Sequence, residues 1–216
     1  MNTDQLIVML GAAPEPVESG RLGKVLLLAV FMGEAAAIAL MLATVGPRAD
    51  LQSTAHLQWL TVKLFFALSV VGVGVSLLIR SIRPGLEEQT NWRLVFVPFV
   101  AALAIALAVL FLSQPQAREA MLRGATRVSS ARCLLCIVFF AAVPMAAVIA
   151  AVRKGAPTRL RLCGAIAGIV AGGMGAVAYA FNCTSDTIPF ITIWYGAAIA
   201  ICAFVGALLG PRVLRW

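Results

Sequence analysis

Along the chain the apolar positions gather into six long runs, and charged positions fall almost entirely between them. The runs cover residues 25–45, 59–79, 94–112, 133–152, 162–181 and 190–209. Each matches the roughly 20 residues that a helix needs to cross a hydrocarbon core of about 30 Å at about 1.5 Å per residue. The pattern predicts an all-α integral membrane bundle of six transmembrane helices with short loops. Residues 1–24 then form an N-terminal tail, 25–209 the transmembrane domain and 210–216 a C-terminal tail. None of the pieces outside the spans is long enough to build a soluble domain. The first run follows a tail containing Pro14 and Pro16 and lacks a small-residue cleavage site after it. It therefore reads as a spanning helix and not as a signal peptide.

Composition agrees: 12% of residues are charged and 62% hydrophobic, where a soluble domain carries about 25% charge. Six crossings put both termini on one side, and basic residues in short loops choose that side. With the termini inside, the inner segments hold eleven Lys and Arg, among them Arg21, Lys24, Arg153, Lys154 and Arg212. The outer segments hold five: Arg48, Arg118, Arg123, Arg127 and Arg132. The expectation is a multi-pass protein of the bacterial inner membrane with cytoplasmic termini. Trp59, Trp194 and Tyr195 fall near the outer boundary, Trp92 and Trp216 near the inner one, as aromatic belts do. Ala117, Met121, Ala125 and Val128 share one helical face, which predicts a short surface helix between spans three and four. The net charge of +8 is a topology signal, and direct nucleic-acid binding is not expected because no readable nucleic-acid module accompanies it.

Two charges remain inside the spans, Glu34 and Lys63. Charged groups in lipid pair or face a polar cavity, and the short connection between spans one and two makes a structural Glu34–Lys63 pair the expectation. Gly164, Gly168 and Gly172 recur at four-residue spacing, followed by Gly173 and Gly175, a pattern for close helix packing. Pro144 lies inside the fourth span, where it removes a backbone hydrogen bond and predicts a kink.

The cysteines supply the candidate chemistry. Cys133 and Cys136 open span four and Cys183 follows span five, so all three come to the outer face. Cys163 and Cys202 lie toward the inner side and read as small buried hydrophobes. Cys133 and Cys136 are one turn apart, Cys183 sits in a polar turn, and the adjacent Arg132 favours a thiolate at Cys133. Three thiols can act as a reversible disulfide with a spare, or as soft ligands for a thiophilic metal. A closed zinc site wants a fourth ligand, which only Asp186 or His56 could supply. No cofactor is expected.

These residues carry a resemblance. The chain resembles the NrsF-type six-span membrane anti-sigma factors, negative regulators of extracytoplasmic-function sigma factors. The matching pieces are Thr3-Asp4-Gln5-Leu6-Ile7, Gly46-Pro47-Arg48-Ala49-Asp50-Leu51 before Lys63, and Arg83-Pro84-Gly85. Cys133 with Pro144, Tyr179-Ala180-Phe181-Asn182-Cys183, Trp194-Tyr195-Gly196 and the stretch from Gly206 to Trp216 complete them. Ala49 stands where the family often has proline, and Asn182 where it often has histidine. The resemblance covers essentially the whole length. It implies a non-enzymatic regulator in which Cys133 and Cys183 are the sensing pair and the N-terminal segment helps to hold the sigma factor. In that segment Thr3 can cap a short helix with Asp4 in its first turn, and Leu6, Ile7, Met9 and Leu10 offer an apolar strip to a partner. The alternative is a quinone-linked thiol–disulfide oxidoreductase of the membrane, suggested by Cys133-Leu134-Leu135-Cys136, although no second outer cysteine pair is present to relay electrons.

Overall fold

A computed structural model describes Thr3 and residues 20–48, 54–82, 91–125, 129–155 and 157–215. The elements in chain order are α1 Arg21–Thr44, α2 Thr54–Ser81, a 3₁₀ segment Trp92–Phe96 leading into α3 Val97–Leu112, α4 Pro115–Ala125, α5 Ser129–Val152 and α6 Leu160–Ala180. The last helix is α7, Ile188–Val213, and its second turn, Ile191–Tyr195, is π-helical. Among the described residues there is no strand. Among the described residues six helices are long and apolar enough to cross a membrane, and α4 is a short helix between the third and fourth of them. The protein is thus an all-α, multi-pass membrane bundle.

The helices overrun the apolar runs because backbone hydrogen bonding continues into the polar flanks until a breaker ends it. The last one runs through Pro211 to Val213, and the Leu214 N–H still donates to the Gly210 carbonyl at 2.9 Å. The first one stops at Gly46, whose φ of 74° places it in the left-handed region that glycine enters without a Cβ penalty. Its N–H reaches back to the Met41 carbonyl at 3.0 Å.

Helix α6 is the axis of the bundle: 83% of its most apolar window is buried, against 17% for the span that contains α3. Glycines explain that position. A Cβ on Gly164 would run into the Gly206 carbonyl, and one on Gly168 into the Cys202 carbonyl, so α6 and α7 meet backbone to backbone. On its other faces Gly175 lies against the backbone of Ile137 and Ala141 in α5, and Gly173 against Ala67 and Val71 in α2. Lipid offers little hydrophobic gain for joining helices, so close backbone approach carries the association. Pro144 remains inside a continuous α5. The facing residue on α1 is Gly33, where a Cβ would stand 3.2 Å from the Pro144 Cα. Helix α3 is peripheral and is anchored by an edge-on contact between Phe99 and Phe66, ring centroids 5.8 Å apart. Phe31, Phe65 and Phe111 point outward, as lipid-facing residues do.

The expected Glu34–Lys63 pair is not formed. Lys63 is 1% exposed and directs its ammonium to Asp186, in the turn between α6 and α7. The Glu34 Oε1 atom is buried without a hydrogen-bond partner. The reason is depth: Lys63 lies within two turns of the end of α2's apolar stretch, so its long side chain reaches the polar turn at the boundary at less cost than a carboxyl deep in the bundle.

Candidate functional site

Cys133 and Cys183 are brought together. Cys133 occupies the second turn of α5, and Cys183 follows α6 in a turn held by Asn182 and Cys183 N–H groups that both donate to the Tyr179 carbonyl, at 3.0 and 3.1 Å. Both are free thiols, 1% and 3% exposed, and they share one buried cluster and one cavity wall.

The turn is tied down from two helices. Lys63 Nζ donates to the Cys183 carbonyl at 2.9 Å and to Asp186 Oδ1 at 2.7 Å. Arg48 donates to the other Asp186 oxygen at 3.0 Å and to the same Cys183 carbonyl at 3.3 Å. Arg48 gets there because the Gly46 turn carries the chain across the end of α6. The Arg48 N–H donates to the Phe181 carbonyl at 3.1 Å, and the Asn182 side-chain amide donates to the Gly46 carbonyl at 2.9 Å.

Cys183 lies outside the spanning helices, and its thiol is held below the usual thiol range. The hydrogen bond offered by Cys133 is the largest cause, and burial opposes it. The Lys63 ammonium, the Ser185 backbone N–H and the Tyr195 hydroxyl assist. Tyr195 is fully buried at the end of the π-helical turn. Its hydroxyl lies in the same buried cluster as Cys183 and completes no hydrogen bond among the described residues. A π-turn often marks a functional position, and here it carries Tyr195 into the buried cluster that holds the thiols.

A cavity of about 510 Å³ lies elsewhere in the bundle, but the one at the thiols measures about 480 Å³ and is bordered by Pro47, Arg48, Arg132, Asn182 and Thr184. Cys133 and Cys183 form part of its wall.

Other expected site residues fare differently. Cys136 is half-buried, one turn further along α5. Among the described residues no three His, Cys, Asp or Glu side chains group so as to hold a metal ion, so Cys133, Cys136 and Cys183 do not form a three-ligand centre. Asp186 is engaged by Lys63 and Arg48. The His56 side chain and Asp4, Leu6, Ile7 and Leu10 lie outside the described residues. A cation that the fold brings to Cys183 is Lys63, on its carbonyl, which sequence reasoning missed. The available signal was that Asp186 is the single acid in the turn between the last two spans.

The sequence matches the family model of NrsF, negative regulator of sigma F, over residues 10–216. The chain belongs to the NrsF family. It is 36% identical over 218 residues to the probable anti-sigma-F factor NrsF of Azospira oryzae. It is 29% identical over 223 residues to the anti-sigma-F factor NrsF of Caulobacter vibrioides. Both similarities cover the whole of each chain. No solved structure matches the chain. The short motifs behind the NrsF resemblance now have places in the fold: Gly46-Pro47-Arg48 crosses to the Cys183 turn, and Trp194-Tyr195 backs it.

Proposed function

We propose that this chain is a membrane-bound anti-sigma factor that holds an extracytoplasmic-function sigma factor at the cytoplasmic face of the bacterial inner membrane. It releases the factor when Cys133 and Cys183 are oxidised to a disulfide. The observation that carries the redox reading is the pair of buried thiols at one cavity wall, with Cys183 held toward the thiolate.

The thiolate is the nucleophile in thiol oxidation. Cys183 attacks a two-electron oxidant such as a peroxide, which is reduced as the sulfur becomes a sulfenic acid. The Cys133 sulfur then displaces hydroxide from that sulfur, which leaves as water with the Cys133 proton, and the S–S bond forms. The same sulfurs offer two soft ligands to a thiophilic cation, the second form of signal this site suits.

A disulfide ties α5 to the turn between α6 and α7. Because α6 contacts α1, α2, α5 and α7, a shift at its end is felt across the bundle. Helix α1 continues from the N-terminal segment in which Asp4, Leu6, Ile7 and Leu10 contact the sigma factor in this reading. Taking the factor from about 99% bound to about 1% requires a differential affinity of about 5.5 kcal/mol between the two states. Co-purification of the detergent-solubilised protein with its sigma factor, with and without peroxide, tests the proposal. Loss of the factor on oxidation is expected; retention alongside a fully formed disulfide contradicts it.

A further inference from the structure

We propose that the cleft between α5 and α7 binds an anionic phospholipid of the bilayer. Glycine contacts draw α7 onto α6, and Gly175 draws α6 onto α5. Both outer helices therefore lean on α6, and the space between them is filled by neither. The resulting cleft has a volume of about 510 Å³.

Its α5 wall runs from Val138 to Arg153, about 22 Å at about 1.5 Å per residue. That exceeds one leaflet, half of a hydrocarbon core of about 30 Å. Ala142, Ala146 and Ala150 leave the cleft open along α5, while Cys202, Val205 and Leu209 form the α7 side. The lining is apolar until the end remote from the Cys133–Cys183 site, where Arg153 stands at the mouth. Arg153 is exposed and has no ion-pair partner among the described residues, with Lys154 beside it and Arg212 on the last turn of α7.

A long apolar slot ending in exposed cations matches an acyl chain with an anionic headgroup, the chemistry of basic pockets between membrane helices. A second copy of this chain would bring the same arginines against one another, which charge complementarity disfavours.

Native mass spectrometry of the full-length protein, released from detergent after incubation with phosphatidylglycerol or with phosphatidylcholine of the same chains, tests the site. At least a fivefold preference for phosphatidylglycerol is expected. Arg153→Gln should abolish the preference and keep residual binding, and Ala146→Trp should remove both. Leu103→Trp, which places the same indole on the exposed face of α3, should change nothing. Equal retention of the two lipids, or unchanged binding in Ala146→Trp, overturns the proposal. A dimer that Ala146→Trp dissociates overturns it in favour of a second copy.

Discussion

The Lys63 ammonium stands 2.7 Å from Asp186, joining α2 to the turn that carries Cys183. With Arg48 on the other carboxylate oxygen, two cations and one acid close the end of the bundle where the thiols meet. The arrangement satisfies a buried cation and at the same time places its charge near the Cys183 sulfur.

Replacing Lys63 by Met leaves Asp186 to Arg48 and removes a donor from the Cys183 carbonyl. A loss of about 1–3 kcal/mol in stability is expected for one such buried donor, read as a lower melting midpoint in detergent. In the same variant, alkylation of Cys183 should shift to higher pH. An unchanged alkylation profile would show that the ammonium does not act on the sulfur.

The lowered Cys183 value also sets a pH dependence. A thiol that ionises more readily folded than unfolded binds fewer protons in the native state. Its contribution to stability is therefore complete above the ordinary thiol range and is lost as pH falls through the lowered folded value. Wild-type protein should lose stability over that acid-side window relative to Cys183→Ser, as thermal melts across pH can establish.

The glycine contacts make a graded test of packing. Gly164→Ala places a methyl against the Gly206 carbonyl and the Gly210 Cα, whereas Gly72 has nothing within 4 Å of an added Cβ. Overpacking of this kind costs about 1–3 kcal/mol. Gly164→Ala should lose about that much stability and melt lower, and Gly72→Ala should melt no lower than wild type.

Cys136 separates the disulfide reading from a three-thiol reading. Cys136→Ser should keep oxidant-driven release of the sigma factor, and Cys133→Ser or Cys183→Ser should lose it. Equal loss in all three assigns Cys136 a part in the response.

The six spans were legible because lipid imposes length and apolarity on each helix separately, and the same holds for the close packing at Gly164, Gly168 and Gly172. The meeting of Cys133 with Cys183 was implied by the family resemblance, whereas topology alone left Cys136 as an equal candidate. The partner of Lys63 was not legible from helix adjacency. Its choice of Asp186 over Glu34 depends on how far a lysine side chain reaches toward the boundary and on where the α6–α7 turn lies in space. The place of Tyr195 was hidden for a similar reason: a π-turn has no simple sequence period, and only the packed chain puts the residue in one cluster with Cys183.

The most direct measurement is a time course of oxidation in reconstituted membranes that follows sigma-factor release together with disulfide mapping by mass spectrometry. A Cys133–Cys183 linked peptide should accumulate in step with release, and the Cys133→Ser, Cys183→Ser double variant should hold its sigma factor throughout. Release from the double variant at the wild-type rate would contradict the account.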